Sequence, residues 1–278
     1  MGILYLLLKL AAVAIVAQAL LYMLMIMPRM WHKPSSAPFR KWYYAHRGLH
    51  DNASDAPENS MAAFARAVEA GYGIELDIRL SKDKIPVVFH DENLSRVCGV
   101  EGRVSDYTFE ELQRFPLCNS TQRIPKFEDV LELVDGRVPM IVEFKMECMD
   151  LSLCSIADRL LRGYRGLYCM ESFNPLALWW FRWHHGKVMR GQLADAFSKE
   201  GAFRGPAYFV VQNLLVNFIG KPDFVAYHHI YYSVLSRRIC RGLYHNTAVA
   251  WTVKSQEELN RARKHFDIFI FDSFLPQT

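Results

Sequence analysis

Hydrophobic and polar positions divide the chain into two parts. Residues 3–27 are apolar except for Lys9 and Gln18, and at a helical rise of about 1.5 Å per residue they span roughly 37 Å, long enough to cross a bilayer. A helix packed on a soluble core shows a one-sided apolar stripe, whereas this one is apolar all round. The main alternative, a cleaved signal peptide, has an apolar region of about 7–15 residues and a small-residue cleavage site, which this longer run lacks. The pattern predicts a single-pass membrane helix in residues 1–27. Position 6 is Leu, so Gly2 does not open a myristoylation motif. Pro, Ser and basic residues dominate residues 28–41, which read as a juxtamembrane linker suited to anionic headgroups.

Beyond residue 41 short apolar runs alternate with helical stretches. Strand-like runs fall at 42–46, 74–80, 86–90, 139–145, 167–170, 188–192, 223–226, 248–253 and 267–271. A helix over 60–70 is stopped by Gly71. Thr108 with Glu111 and Ser255 with Glu258 have the spacing of capping boxes that open two more. Alternation over residues 42–278 predicts an α/β fold with a parallel sheet, and the length suits a (β/α)8 TIM-type barrel. Nine runs are one too many for eight strands, so either one lies outside the barrel or one is no strand. An open doubly wound sheet is the competing architecture, weakened because no G-x-G-x-x-G follows the first run.

Composition adds exclusions. A chain of 278 residues that is 51% hydrophobic and 22% charged is not intrinsically disordered, and Gly 15 with Pro 12 leaves no room for a low-complexity design. The formal net charge of +4 suggests an anionic partner until it is divided. Lys9, Arg29, Lys33, Arg40 and Lys41 lie in the first 41 residues, which hold no acid, so 28 basic residues face 29 acidic ones in the remainder. A nucleic-acid binder carries its excess on the folded part, so no nucleic-acid partner is expected. Four of those five cations follow the apolar run, which favours a cytoplasmic location for the folded body. Cys98, Cys118, Cys148, Cys154, Cys169 and Cys240 show no C-x-x-C spacing and signal neither zinc nor a disulfide framework.

Candidate chemistry lies on the strands. In Ile74-Glu75-Leu76-Asp77-Ile78-Arg79-Leu80 the period of two puts Glu75, Asp77 and Arg79 on one face. Two carboxylates two residues apart need a cation, either a hard metal ion or Arg79. On a half-buried strand the same alternation would simply be a solvated polar face. Ile141-Val142-Glu143-Phe144-Lys145 repeats the pattern with Glu143 and Lys145, and in a barrel both pairs would gather at the C-terminal mouth. Three acidic oxygen donors suit magnesium, calcium or manganese rather than zinc. His46 ends the first run and His90 the third, where an imidazole is placed for proton transfer. A lone histidine there is more often structural, but two flank the carboxylates. His184–His185 and His228–His229 have no carboxylates at ligand spacing and read as surface or packing residues.

These residues carry a resemblance. His46-Arg47-Gly48, Pro57-Glu58-Asn59-Ser60, Glu75-Leu76-Asp77, Pro86-Val87-Val88 with His90-Asp91, Leu94 with Arg96, Ile124-Pro125 and Glu143-Phe144-Lys145 resemble the glycerophosphodiester phosphodiesterase family. Ser172-Phe173, residues 222–225, Trp251-Thr252-Val253 and Asp267 with Asp272 continue it more thinly. The resemblance implies a (β/α)8 barrel and hydrolysis of glycerophosphodiesters to glycerol 3-phosphate and an alcohol. It implies His46 and His90 as the acid/base pair, Glu75, Asp77 and Glu143 as ligands of Mg2+ or Ca2+, and Arg47 and Lys145 as phosphate-holding cations. A lysophospholipid-directed phospholipase or a lyase stopping at a cyclic phosphate fits the same barrel. An inactive tethered binding module would be expected to lose one of the seven positions, and all are present. The chain departs from the family pattern at Lys84, where glycine is usual, at Lys126 and at Phe271. The aromatic 179–183 stretch and the apolar 207–219 stretch read as helix faces packed on the barrel, or as a membrane-facing rim.

Overall fold

A computed structural model describes residues 2–146, 149–201 and 205–277. Of the six cysteines, Cys148 lies outside the described residues, and the other five are free thiols. Strands β1 (Tyr43–His46), β2 (Gly73–Leu80), β3 (Pro86–Val88), β4 (Met140–Phe144), β5 (Tyr168–Ser172), β6 (Arg190–Ala194), β7 (Phe224–His228), β8 (Thr247–Val253) and β9 (Ile268–Phe271) form one sheet. All but β3 are parallel. β1 pairs with both β9 and β2, which closes eight strands into the expected (β/α)8 barrel. The surplus strand is β3, antiparallel on β2 and outside the ring.

The alternation seen in the sequence is explained by two opposed apolar surfaces. Outward residues such as Ile74, Leu76, Ile78, Val142 and Phe144 meet Phe64, Ala67, Phe127 and Val130 of the covering helices. Inward residues Tyr44, Ile141, Cys169, Met189, Phe224, Val249, Ile268 and Ile270 fill the barrel. Fully burying one such side chain stabilises by about 1.5–3 kcal/mol, so a strand slipped by one residue would exchange its whole set of contacts. Residues 85–124 pack a separate small core of Val87, Phe89, Leu94, Val97, Val104, Leu112, Leu117 and Ile124, which carries the His90 segment on the outside of β2.

Helix starts follow their local signals. Ser60 caps Met61–Glu69 by accepting the Ala63 N–H, the Thr108–Glu111 box opens Phe109–Leu112, and Ser255 accepts the Glu258 N–H ahead of Gln256–Ala262. Lys84, where glycine would be usual, takes a left-handed φ of 62°. The apolar 207–219 stretch falls in two short helices, Pro206–Gln212 and Asn217–Gly220.

The N-terminal helix, Gly2–Ile26, is long and apolar enough to cross a membrane, and its most apolar window is unburied. Its last turn is fixed to the barrel. Tyr244 Oη donates to Met23 O (3.0 Å), Asn217 Nδ2 to Ile26 O (2.8 Å) and Lys221 Nζ to Met27 O (3.1 Å). These donors satisfy carbonyls that a helix end leaves unpaired. Arg29 continues the contact with its N–H on Pro222 O (3.0 Å) and its guanidinium 3.5 Å from Asp223. Phe39 is buried with the residues that fill the barrel.

Candidate active site

Glu75 and Asp77 of β2 and Glu143 of β4 face the barrel interior, 2%, 1% and 6% exposed, so the polar side of β2 is no solvated face. Register brings them together: Asp77 lies opposite Glu143, and His46 opposite Glu75. One carboxylate oxygen from each of the three lies within 4.8 Å of the others. Lys145 Nζ sits 2.7 Å from Glu143 and 3.1 Å from Asp77. Arg79, the alternative partner for the carboxylates, instead donates to the His90 carbonyl (2.9 Å).

Charge crowding sets the protonation states. Burial first, then repulsion from Asp77, Glu143 and Glu171, holds Glu75 well above the usual carboxylate range. Burial would also raise Asp77, but Lys145, His90, Arg47 and a hydrogen bond from Asn59 (2.9 Å) outweigh it and hold it well below. Glu143 is raised by burial, against the pull of Lys145. Buried carboxylates that cannot all ionise beside two cations are a fitting donor set for a hard divalent ion, which prefers oxygen ligands.

The histidines flank this cluster, each held by a carboxylate at Nδ1. His46 meets Asp272, just beyond β9, at 3.1 Å, and His90 meets Asp91 at 2.6 Å. Burial pushes the His46 imidazole down to about 4 despite its bond to Asp272. Arg47, with φ 55°, turns its N–H onto Glu75 (3.1 Å) and its guanidinium onto Glu58 (2.7 Å), with Nε 3.5 Å from Asp77. Gly48 follows at φ 82°, and a Cβ there would come within 2.9 Å of the Ala63 backbone, so only glycine lets the helix Met61–Glu69 approach. A cleft of about 560 Å³ lined by residues 48–52 and 271–275 opens beside His46 and Asp272.

All seven residues expected from the sequence thus belong to one neighbourhood at the C-terminal mouth, where this fold places its chemistry. The family model described as "Glycerophosphoryl diester phosphodiesterase family" matches residues 46–272, beginning at His46 and ending at its partner Asp272. The chain belongs to that family. It is 32% identical over 274 residues to glycerophosphodiester phosphodiesterase 1 of Bos taurus, covering 83% of this chain and 77% of the relative. A glycerophosphodiester phosphodiesterase of Bacillus altitudinis is 41% identical over 111 residues, 37% of this chain and 44% of the relative, so the aligned part spans less than half of that enzyme's length. Among solved structures, an Oleispira antarctica phosphodiesterase in complex with the product sn-glycerol-3-phosphate superposes with a TM-score of 0.68 at 21% identity, covering 83% of this chain and 92% of that one. This likeness shows the shared barrel.

The family motifs engage more residues than these seven. Glu58 accepts from Arg47, from both Arg96 amino groups (2.6 and 2.8 Å) and from Asn52 (2.9 Å), while Arg96 Nε reaches Asp91 (2.6 Å). This chain of ion pairs links Arg47 to His90. Glu58, Asn59, Asp91 and Asp272 were present in the motifs, but their partners are set by loops and strand ends that periodicity does not address. Glu171 of β5, 1% exposed and opposite Glu143, was missed entirely, because its strand was expected to end at residue 170. The expectation for His228 needs correction. Its Nδ1 is 3.4 Å from Asp195 and 3.7 Å from Glu200, and the ring stacks on Trp251, so it belongs to a second acidic cluster at the strand ends. Its carboxylate partners are distant in sequence, which is why local spacing did not show them. His185, in contrast, pairs with Asp158 (2.5 Å) between covering helices.

Proposed function

We propose that this chain hydrolyses glycerophosphodiesters to glycerol 3-phosphate and an alcohol, with a divalent ion, Mg2+ or Ca2+, held by Glu75, Asp77 and Glu143. The observation that carries the reading is the buried cluster of carboxylates and cations flanked by two carboxylate-held imidazoles. When bound, the ion supplies Lewis-acid neutralisation of the phosphodiester. Lys145 and Arg47 bind phosphoryl oxygens and stabilise the charge that builds on them. Asp272 and Asp91 hold Nδ1 of His46 and His90 and leave Nε2 of each for the substrate. One ring takes the proton of the attacking hydroxyl and the other protonates the leaving alcohol; water as the attacker gives glycerol 3-phosphate directly, whereas the glycerol 2-hydroxyl gives a cyclic phosphate that water then opens to glycerol 3-phosphate.

The helix Gly2–Ile26 supports a single-pass anchor, and the Lys and Arg excess after it supports a catalytic domain on the cytoplasmic face. An anchored barrel favours a second substrate class, lysophospholipids, on the same site. The test is glycerol 3-phosphate release by the full-length chain in detergent from glycerophosphocholine and glycerophosphoethanolamine, with Mg2+ or Ca2+ and then with EDTA. Release that depends on metal and on His46 is expected. Cleavage only of added lysophospholipid, to lysophosphatidate and the head-group alcohol, would move the substrate class to lipid, a cyclic phosphate product would make it a lyase, and silence on every diester would sink the enzymatic reading.

A further inference from the structure

The cation site has one carboxylate more than the family resemblance implies. In β5, Tyr168-Cys169-Met170-Glu171-Ser172, Met170 packs outward with the helices and Cys169 packs into the barrel, so Glu171 faces inward with Cys169. Parallel pairing sets Asp77, Glu143 and Glu171 abreast on β2, β4 and β5. On the far side the neighbour is Gly191, which has no side chain, with the Phe224 ring lying over it. Glu171 is 1% exposed, and its Oε2 has no hydrogen-bond partner among the described residues.

A buried carboxyl in that condition either takes up a proton or meets a counter-charge. The two cations paired into the cluster are already engaged, Lys145 with Asp77 and Glu143, and Arg47 with Asp77 and Glu58. Glu75, Asp77, Glu143 and Glu171 are four buried carboxyl groups beside two cations that are already paired, more than those cations balance, and a divalent ion supplies the missing positive charge.

We propose that Glu171 is a fourth anionic member of the cation site, joining Glu75, Asp77 and Glu143 from the neighbouring strand. The inference rests on the reading of that cluster as a divalent-ion site and adds a residue to it. Its role is to tighten ion binding.

The test is a titration of the full-length chain in detergent with Mn2+, following free Mn2+ by electron paramagnetic resonance. Wild type is expected to bind one ion. Glu171→Gln is expected to bind about 10–100-fold more weakly, the loss typical of removing a supporting carboxylate. Metal-free Glu171→Gln should melt no lower than metal-free wild type, since a buried carboxyl beside Glu143 is replaced by an amide of the same shape, and Mn2+ should raise its Tm less. Glu171→Ala repeats the measurement if the Gln variant does not fold. Unchanged Mn2+ affinity in either folded variant places Glu171 outside the site and overturns the inference alone. A wild-type chain that takes up no Mn2+ overturns the cation reading as well.

Discussion

Glu58 touches no reacting atom in the proposed mechanism, yet it joins both halves of the site, holding Arg47 on one side and Arg96, with Asp91 and His90 behind it, on the other. Burial would raise its carboxyl, but the hydrogen bonds of Arg96 and Asn52 and the charge of Arg47 lower it from 4.5 to about 2. A carboxyl lowered on folding stabilises fully above its unfolded value and loses that contribution as pH falls through its folded value. Glu58→Gln is therefore expected to cost up to about 3 kcal/mol at pH 7, with the difference from wild type shrinking between about pH 4.5 and pH 2. Denaturant melts of both proteins across that range check it, and a pH-independent gap would contradict it. For the histidines the expected outcome is catalytic. His46→Ala should lose about 10²–10⁴ in kcat with little change in Tm, and a variant that keeps wild-type kcat would remove His46 from the mechanism. At this scale the sequence was readable where residue type and strand phase together limit the chemistry, as at Glu75, Asp77, Glu143 and Lys145. It was not readable at Glu171, whose carboxylate acquires meaning only beside Glu143.

The strand alternation that brings carboxylates into the barrel is a property of single elements and is legible in the sequence. What the pattern could not say is which side of β2 meets water, since a solvated face and a packed barrel interior give the same alternation. Turn chemistry is also local. Gly48 sits at φ 82° where a Cβ would meet the backbone of Met61–Glu69 at 2.9 Å. Gly48→Ala is expected to destabilise by about 1–3 kcal/mol, through left-handed strain and displacement of that helix. Because Arg47 and Glu58 flank this contact, its activity should fall more than its Tm alone explains, as read from kcat/KM well below the melting range. The short antiparallel β3 shows the limit of such reading. Its apolar run matches a barrel strand, and only its antiparallel pairing with β2 sets it outside.

For the whole molecule, the last turn of Gly2–Ile26 is mounted on the barrel rather than strung from it. Asn217, fully buried, donates to the Ile26 carbonyl. Asn217→Ala is expected to cost about 1 kcal/mol and to speed amide exchange across residues 22–30, while exchange in β2 and β4 stays slow. Equal protection in both proteins would show that the anchor is held by other contacts. Beside this mount, Trp179 and Trp183 on Pro175–His184 are 38% and 64% exposed, whereas Trp180 and Phe181 of the same helix are buried. In the proposed anchored state these side chains would face a bilayer. The Trp179→Ala/Trp183→Ala double variant should therefore lower activity on lysophospholipid relative to glycerophosphocholine, and an unchanged ratio would place both in water. By itself the sequence determined the apolar N-terminal helix, the strand-and-helix alternation and the face on which each strand carries its charges, because periodicity and caps act over a few residues. Only the tertiary structure decided which strand lies beside which: the closure that sets His46 against Asp272, 226 residues away, and the register that lines Asp77, Glu143 and Glu171 abreast. Such pairings depend on packing around the whole ring, and no local pattern encodes them.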